Sequence, residues 1–376
     1  MINAVSPSND LRLVVAAGGT GGHIFPAVAV VEQIERLTEN HCSTVFMGSQ
    51  DRMETVLIPK LGYPYVSMPI AGFKGLSVST LTLPLKVFSS IRIARAYIRL
   101  HKPHAIVCTG AYISYPVGIA AIREGVPLIV LESNLNPGKT NGRLAPKAAA
   151  VVLAFEDSVS FYPESMKSLL HVFGNPVRSQ VSAHRDQREA RQKLGLHAEK
   201  PTVLVFGGSL GARTINIAIE RNLSSIATKP YQVLWQTGKG FTTPETLPEN
   251  VTMVPFLDDM GSAYAAADVV VSRSGATTIA ELGIVGKPAI LVPLPSASTN
   301  EQEHNASVVS RHDAGVVLSD ATVRNELLQT IDAIMNNPIR KKLMAQNMST
   351  LGRPKAAEDA ANLIIRISGW NNELSR

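Results

Sequence analysis

The feature that most constrains the fold is a glycine-rich turn that follows an aliphatic run near the amino terminus. The run at residues 11–16 reads LRLVVA, and it leads into AGGTGGHIFP at residues 17–26. A short apolar run that ends in such a turn predicts a buried parallel strand followed by a helix. Because glycine lets the backbone approach an anion closely, and a helix start presents N–H groups, the turn favours phosphate binding. A purely structural strand-to-helix turn remains the alternative.

The same pattern occurs a second time, which indicates two domains of one type. Residues 201–212 read PTVLVFGGSLGA and repeat the order of strand, Gly-Gly-hydroxyl turn and helix. Strands that alternate with helical segments favour an α/β fold of two Rossmann-like parallel-sheet domains, which we expect to face a central cleft. Other short aliphatic runs predict further strands at 43–47, 105–108, 128–131, 202–206, 232–236, 251–254, 269–272 and 289–292.

A break in periodicity gives the domain boundary. The sequence FGNPVRS, residues 173–179, contains a Gly-Asn-Pro triplet that interrupts both strand and helix patterns. We therefore predict an amino-terminal domain at 1–178 and a carboxyl-terminal domain at 179–358. The last segment, about 359–376, begins with an amphipathic pattern, and we expect it to pack back on the amino-terminal domain.

Composition limits the partners and the compartment. Lysine and arginine number 36 against 30 aspartates and glutamates, so the net charge is +6 and an anionic partner such as phosphate, acidic lipid or nucleic acid is favoured. Cys42 and Cys108 are the only cysteines, and they show no zinc-ligand spacing, which fits a reducing cytoplasm and no structural metal. No stretch approaches the roughly 18 apolar residues that would span a bilayer.

Two polar stretches in the second half are typical of nucleotide-sugar binding. In SRSGATTIAEL, residues 272–282, a small-residue turn precedes a helix that carries Glu281 one turn further on. A carboxylate there can accept ribose hydroxyl hydrogen bonds while a diphosphate sits on the helix N–H groups. The alternative is a surface glutamate stabilised by the helix dipole. In STNEQEHNA, residues 298–306, amides and carboxylates suit either sugar hydroxyl groups or a helix start.

These two stretches, taken with four other motifs, resemble the MurG family of bacterial glycosyltransferases. The resemblance covers residues 11–365 and implies a GT-B enzyme that moves N-acetylglucosamine from UDP-GlcNAc to the C4 hydroxyl of MurNAc in undecaprenyl-diphospho-MurNAc-pentapeptide, with inversion. It further implies peptidoglycan synthesis, cell division and cell shape as the context, at the cytoplasmic face of the inner membrane. The motifs are GGTGGH (18–23), GNPVR (174–178), GGSLGA (207–212), DDM (258–260), SRSGATT (272–278) and EQEHNA (301–306).

The resemblance also implies roles for individual residues. The acceptor site is assigned to Thr20, Gly21, Gly22, Tyr112, Glu132 and Asn134. The UDP-GlcNAc site is assigned to Thr20, Gly21, Gly22, His23, Asn134, Arg178, Ser209, Leu257, Ala276, Thr277, Thr278, Glu281, Gln302 and Asn305, with Leu257 holding the uracil edge through its backbone. The chain departs from the family pattern in GAYISYP (110–116), in LESN (131–134) and at Glu301, where the family commonly has glutamine.

His23 is the candidate general base. An inverting displacement needs a group that takes the proton of the acceptor hydroxyl, and imidazole, with an unperturbed pKa of about 6.5, can do so at cytoplasmic pH. As a donor at a helix start, His23 could instead hold the acceptor diphosphate, or it could simply follow a turn. Helix dipoles and Arg178 can offset the charge of the leaving diphosphate, so no cofactor is required and a divalent metal is optional.

A basic and apolar segment between Gly72 and Lys102 is a candidate membrane surface. Basic residues that flank an apolar face are typical of interfacial segments on anionic lipid, although a core helix with a solvated basic face has the same pattern. The resemblance favours the membrane, allows other cell-wall synthesis proteins as partners, and implies no nucleic acid. The membrane residues are Phe73, Lys74, Leu76, Leu85, Lys86, Phe88, Arg92 and Arg95.

Three rival classes share parts of this pattern. Another GT-B enzyme, either a glycolipid glycosyltransferase or a UDP-GlcNAc 2-epimerase, would keep the nucleotide motifs of the second half but change those of the first. A non-catalytic protein that binds sugar nucleotides or polyanions would also explain the loops and the charge. An NAD dehydrogenase fits least, because no acidic residue follows the first loop at the spacing of a dinucleotide fingerprint.

Overall fold

The structure, a computed structural model, describes residues 10–70, 82–208, 211–295 and 300–370. The chain divides into two compact units. The first comprises Met1–Arg178 together with Lys355–Arg376, and the second comprises Ser179–Pro354. Ser209, Phe73, Lys74 and Leu76, which the sequence assigned to the donor site and the membrane surface, lie outside the described residues.

The first unit contains a seven-stranded parallel sheet in the order β3-β2-β1-β4-β5-β6-β7. Alternate side chains of β1 face opposite layers of core, with Leu13 on one side and Val14 on the other. Because both faces are covered, the strand reads as a continuous apolar run. The strands are β1 (Leu11–Ala16), β2 (Cys42–Ser49), β3 (Tyr65–Met68), β4 (Ala105–Cys108), β5 (Leu128–Glu132), β6 (Ala150–Leu153) and β7 (Leu170–Val172).

Helices connect these strands and cover both faces of the sheet. They are α1 (Gly21–Leu37), α2 (Glu54–Lys60), α3 (Leu83–His101), α4 (Ala111–Glu124) and α5 (Lys139–Leu144), with short 3-10 turns at Ala145–Lys147, Glu156–Phe161 and Glu164–Leu169. The helix α1 begins at the end of the glycine-rich turn, and Thr20 is its N-cap residue. Within the described ranges, no helix combines the length and apolar character needed to cross a bilayer.

The second unit contains a six-stranded parallel sheet in the order β10-β9-β8-β11-β12-β13. Its strands are β8 (Thr202–Phe206), β9 (Gln232–Gln236), β10 (Val251–Val254), β11 (Val269–Ser272), β12 (Ala289–Leu291) and β13 (Gly315–Val317). Its helices are α6 (Ser179–Ser182), α7 (Gln187–Lys193), α8 (Arg213–Arg221), α9 (Leu223–Ile226), α10 (Met260–Ala266), α11 (Ala276–Val285), α12 (Glu301–Arg311), α13 (Val323–Met335) and α14 (Pro338–Thr350).

The carboxyl-terminal helix α15 (Ala356–Ser368) belongs to the first unit. It buries small and branched side chains, among them Ala360 and Ile364, in the core layer that contains α1. An ion pair of 3.4 Å between Arg36 and Glu358 also joins the two helices. The chain therefore returns to its first unit after completing the second.

The predicted fold class is confirmed, since both units are parallel α/β sheets with helices between the strands. In each sheet the strand order reverses beside the first strand, between β1 and β4 and between β8 and β11. Loops that leave adjacent strands in opposite directions open a crevice at such a switch point, and ligands of open α/β sheets bind there. Each glycine-rich turn leaves the strand at its own switch point, so each unit presents one candidate ligand edge.

Candidate active site

A buried carboxylate anchors the glycine-rich turn of the first unit. Glu54, at the start of α2, is fully buried. Its Oε2 accepts a hydrogen bond of 3.0 Å from the Gly19 N–H, and its Oε1 accepts bonds of 3.2 and 2.6 Å from the N–H and hydroxyl of Ser49. The Gly19 N–H is therefore already hydrogen-bonded within the protein. Glu54 was not predicted from the sequence, because nothing in its neighbourhood marks it as a loop anchor.

His23 reaches across the switch point of the first unit. Its Nδ1 lies 2.8 Å from the carbonyl oxygen of Thr109, in the loop after β4. Since a carbonyl can only accept, the proton of the neutral ring sits on Nδ1 and the acceptor lone pair on Nε2. The next residue, Gly110, has a φ of +98°, and a Cβ there would lie 3.2 Å from the imidazole Cε1. Glycine at 110 thus permits both the backbone turn and the close approach of the ring.

The other residues of the first glycine-rich turn differ in their solvent exposure. Thr20 and Gly22 are exposed, Gly21 is buried and His23 is half-buried. Tyr112, in the first turn of α4, is half-buried and lies close enough to Glu54 and Arg52 to interact with their charges. Burial raises the pKa of its phenol, and Arg52 nearby opposes that rise.

Glu132 organises a loop at the end of β5. Its carboxylate is buried and accepts hydrogen bonds of 3.0 Å from the Asn134 N–H, 2.9 Å from the Gly138 N–H and 2.9 Å from the Asn141 side-chain amide. Both oxygens thus hold the segment that carries Asn134, which makes Glu132 a support for that segment. Asn141, which also donates to the Leu131 carbonyl, was missed by the sequence analysis.

Arg178 is held beside the start of α1 by an aromatic ring. Its guanidinium carbon lies 4.0 Å from the centroid of the Phe25 ring, a cation–π arrangement. The same ring lies close to Gly21, where a Cβ would be 2.8 Å from Cε2. The positive charge assigned to the leaving diphosphate is therefore near the loop that carries His23. Phe25 gave no functional signal in the sequence, because an apolar residue in a first helical turn usually belongs to the core.

The glycine-rich turn of the second unit rests on the end of β9. Gly211 has a φ of +78°, and a Cβ at that position would overlap the carbonyl of Thr237. The buried Gln236 donates to the Gly208 carbonyl at 3.0 Å and accepts from the Leu257 N–H at 3.0 Å. The backbone donor of Leu257, assigned to the uracil edge, is thus hydrogen-bonded within the protein.

The helix α11 and its carboxylate form the next part of this edge. The helix begins at Ala276 after the extended N-cap Gly275, which gives no side-chain cap, while Thr277 is buried and Thr278 is half-buried. Glu281 is only 7% exposed, so it is not a solvated surface glutamate. The Tyr264 hydroxyl donates to its Oε2 at 2.8 Å and thereby fixes the carboxylate.

The amides of α12 lie behind the start of α11. Gln302 is half-buried, and its Oε1 accepts from the Leu294 N–H at 3.0 Å, while its carbonyl accepts from the Ser274 hydroxyl at 2.8 Å. The Gln302 side chain therefore has its Nε2 donors to offer a hydroxyl group. Asn305 is 1% exposed, whereas Glu301 is half-buried at the first position of the helix.

Hydrogen bonds from the Arg273 guanidinium connect the loops at the switch point of the second unit. Arg273, directly after β11, donates to the carbonyls of Val292 and Pro293 at 3.1 Å and to the carboxylate of Asp320 at 2.5 Å. Asp320 also accepts from the Thr214 hydroxyl at 3.0 Å. One partly buried network thus joins segments that follow β8, β11, β12 and β13. Its members were missed, because they meet only in the folded chain.

The helix α3 carries the described part of the candidate membrane surface. Leu85 is 72% exposed and Phe88 is 58% exposed, which is unusual for large apolar side chains on one helix. Arg92 is exposed and Lys86 is half-buried. Arg95 instead pairs at 2.6 Å with Glu124, which also accepts from Arg99 at 2.8 Å, and these bonds lower the pKa of Glu124. The Arg95 charge is therefore partly offset by a carboxylate that it shares with Arg99.

The described residues contain no group of three or more histidine, cysteine, aspartate or glutamate side chains that could hold a metal ion. The candidate site consists of hydrogen-bond donors, helix starts and isolated titratable side chains. The anion-binding capacity of such a site comes from N–H groups and guanidinium charge.

Comparison with known proteins gives one family for both halves. Residues 13–153 match the glycosyltransferase family 28 N-terminal domain, and residues 202–361 match the glycosyltransferase family 28 C-terminal domain. A protein of Cytophaga hutchinsonii named UDP-N-acetylglucosamine--N-acetylmuramyl-(pentapeptide) pyrophosphoryl-undecaprenol N-acetylglucosamine transferase is 38% identical over 95% of this chain and 96% of its own length. A protein of the same name from Halalkalibacterium halodurans is 34% identical over 95% of this chain and 100% of its own.

Solved structures agree with this assignment. The crystal structure of Acinetobacter baumannii MurG superimposes with a TM-score of 0.71 and 26% identity, and the match covers 94% of this chain and 99% of that one. The glycosyltransferase of kitacinnamycin, with a TM-score of 0.69 and 16% identity, shares the fold. Since both domain types and both units are matched across nearly the whole length, the chain belongs to glycosyltransferase family 28.

Proposed function

We propose that this chain transfers N-acetylglucosamine from UDP-GlcNAc to the C4 hydroxyl of MurNAc in undecaprenyl-diphospho-MurNAc-pentapeptide, with inversion at the anomeric carbon. Relatives that bear the name of this transferase match the chain over nearly its full length. The observation that carries the chemistry is the His23 imidazole, whose Nδ1 is held by the Thr109 carbonyl so that Nε2 has the lone pair of a base.

The second unit is the proposed donor site. The start of α11, at Ala276 to Thr278, would hold the diphosphate, because a helix N-terminus presents N–H groups and the positive end of its dipole. Glu281, whose orientation Tyr264 fixes, would accept the ribose hydroxyl hydrogen bonds. Gln302 and Asn305 would contact the sugar. The uracil base would lie at Leu257, in the segment after β10.

The first unit is the proposed acceptor site, with Thr20, Gly21, Gly22 and Asn134 around His23. The C4 hydroxyl oxygen attacks the anomeric carbon of the donor sugar, and its proton passes to Nε2 of His23. The bond between that carbon and the UDP oxygen breaks, and the electron pair leaves with UDP. The negative charge on the departing diphosphate is stabilised by helix N–H groups and by Arg178, and a divalent metal is an optional addition.

We further propose that α3 holds the protein on an anionic membrane at the cytoplasmic face. Leu85 and Phe88 would enter the interface, and Lys86 and Arg92 would attract acidic headgroups. Arg95 contributes less to this surface than the sequence suggested, since Glu124 shares its charge. The protein would then lie on the same membrane that carries its lipid-linked acceptor.

The test of the activity is acceptor-dependent release of UDP. Purified protein is incubated with UDP-GlcNAc, with and without a synthetic lipid-linked MurNAc-pentapeptide, and UDP and the disaccharide product are quantified. The transferase releases UDP only with the acceptor. A 2-epimerase would convert UDP-GlcNAc without acceptor, a glycolipid transferase would require a different acceptor, and a binding protein would release no UDP.

A further inference from the structure

The side chain of Gln236 bridges two loops of the proposed donor site. Gln236 is the last residue of β9 and is 2% exposed. Its Nε2 donates to the Gly208 carbonyl, in the glycine-rich turn after β8, and its Oε1 accepts from the Leu257 N–H, in the segment after β10. Both hydrogen bonds measure 3.0 Å. One carboxamide thus joins the loops on either side of its own strand.

We propose that Gln236 is a positioning residue for the nucleotide, in that it sets the separation between the loop on the phosphate side and the loop on the base side. The inference deepens the proposed function and rests on it. A nucleoside diphosphate with its uracil at Leu257 and its diphosphate at the start of α11 would pass beside the glycine-rich turn, so its affinity should depend on the spacing of these two loops. Gln236 itself uses its amide within the protein and need not touch the ligand.

The physical reason lies in the planarity of the amide. The donor and acceptor of a carboxamide lie in one rigid plane, so Gln236 cannot rotate away from one loop without losing its bond to the other. In a buried position, either loss leaves a polar group without a partner, and that is costly. Gly208 and Leu257 are therefore expected to move together rather than independently.

The neighbouring residue strengthens the same coupling. The carbonyl of Thr237 lies where a Cβ of Gly211 would be, and it accepts a bond of 2.8 Å from the Asn216 side chain. Asn216 in turn accepts from the Trp235 indole N–H at 3.1 Å. The glycine-rich turn thus contacts the end of β9 near both Gly208 and Gly211. The positions of Gly208 and Gly211 therefore both depend on that strand end.

The opposite end of the same strand offers a matched control. Gln232 is the first residue of β9, is 4% exposed, and donates to the His197 carbonyl at 2.8 Å while it accepts from the His197 N–H at 2.9 Å. It is the same residue type and is similarly buried, and it donates further to the Lys200 carbonyl and the Thr202 hydroxyl, both at 3.0 Å. It lies at the amino edge of the sheet, away from the edge where ligands of parallel sheets bind.

The experiment compares Gln236→Met and Gln232→Met in the full-length protein. Methionine keeps the length of the side chain and removes its hydrogen bonds. UDP affinity is measured by isothermal titration calorimetry, unfolding by thermal denaturation, and kcat and KM by acceptor-dependent UDP release. We expect both variants to unfold at a lower temperature. Gln236→Met should weaken UDP about tenfold and raise KM for UDP-GlcNAc without changing KM for the acceptor, whereas Gln232→Met should keep UDP affinity within about twofold.

Gln236→Glu is the second variant, in case the methionine variant does not fold. It keeps an acceptor for the Leu257 N–H but cannot donate to the Gly208 carbonyl, so it should also weaken UDP. Equal UDP affinity in the wild type and a folded Gln236 variant would overturn the inference alone, and so would equal losses at positions 236 and 232. Failure of the wild type to bind UDP would overturn the proposed donor site and the inference with it.

Discussion

The two switch points share a topology and differ in the charges that line them. In the first unit the glycine-rich turn is anchored by the Glu54 carboxylate, and His23 crosses to the Thr109 carbonyl. In the second unit the turn is anchored by the neutral amide of Gln236, and Arg273 crosses to Asp320. The same strand-loop-helix pattern therefore produces two environments.

A glycine-rich turn alone does not determine which ligand binds beside it. A carboxylate buried under the first turn makes the local potential unfavourable for a second anion at the Gly19 N–H. A titratable imidazole at the same edge suits proton transfer from a neutral hydroxyl. The second turn has no such carboxylate among its described contacts, and α11 starts beside it, which suits a diphosphate. Each turn can position a ligand, and the charge of the side chains beside the turn determines the chemical class of that ligand.

The largest expected effect is at His23, the proposed general base of the first unit. His23→Ala should lower kcat by at least about a hundredfold, because it removes the proposed acceptor of the hydroxyl proton. The matched control is His312→Ala, since the His312 Nδ1 also lies 2.8 Å from a main-chain carbonyl but the residue is exposed at the end of α12. Steady-state UDP release measures both variants. A near-normal kcat with a raised acceptor KM would move His23 to a binding role.

Removal of the buried anchor should affect the stability of the first unit. Glu54→Ala leaves the Gly19 N–H and the Ser49 N–H and hydroxyl without their acceptor, at a cost of about 1–3 kcal/mol for each group left unpaired. Chemical denaturation should therefore show a clear loss. Glu35→Gln is the control, because that half-buried carboxylate accepts one bond of 3.1 Å from Tyr63. Equal stabilities of Glu54→Ala and wild type would show that the anchor contributes nothing.

Glu281, the buried carboxylate of the second unit, should affect ligand binding rather than stability. Glu281→Ala should weaken UDP by about tenfold or more, since a charge-assisted hydrogen bond to a ligand contributes about 1.5–3 kcal/mol. Glu326→Ala, at an exposed position in the first turn of α13, should leave UDP affinity unchanged. Calorimetric titration of UDP distinguishes the two. An unaltered affinity in Glu281→Ala would remove this residue from the nucleotide site.

The smallest expected effects concern the membrane surface, where a comparison between units supplies the control. Replacing Lys86 and Arg92 by glutamate should weaken binding to vesicles that contain acidic lipid by about 1 kcal/mol for each charge removed, and added salt should do the same. Reversing Lys341 and Lys342 on α14, beside the exposed Ile339 and Leu343, should change vesicle binding much less. Sedimentation with vesicles gives the result.

The comparison fails if both pairs of substitutions reduce vesicle binding equally, because α3 would then have no special role. Turnover with a short-chain, water-soluble acceptor should persist in all these variants. That measurement separates a loss of membrane attachment from damage to the enzyme.

The sequence predicted the central strands and the edge strand β10 but missed the other three edge strands, for a physical reason. The strands β1, β4, β5, β8 and β11 are buried on both faces and read as apolar runs, so they stand out in the chain. The strands β3, β7 and β13 have three or four residues each and are largely half-buried, which leaves little pattern to detect. The short β6 was also missed, although it is fully buried.

The candidate site divides in a similar way. His23 and Glu281 stand in local motifs beside glycine or small residues, so spacing alone draws attention to them. Glu54 acts on Gly19 from 35 residues away, and Asp320 meets Arg273 from 47 residues away. Such contacts exist only after the strands have aligned. The supporting groups of a site are therefore harder to predict than the groups that face the ligand.

The division of work between the two switch points is tested most directly by one titration series. UDP is titrated calorimetrically into the full-length wild type, His23→Ala and Glu281→Ala proteins under identical conditions. The account predicts wild-type affinity for His23→Ala and a loss of about tenfold or more for Glu281→Ala. A loss in His23→Ala as large as that in Glu281→Ala would place the nucleotide diphosphate at the first glycine-rich turn and contradict the account.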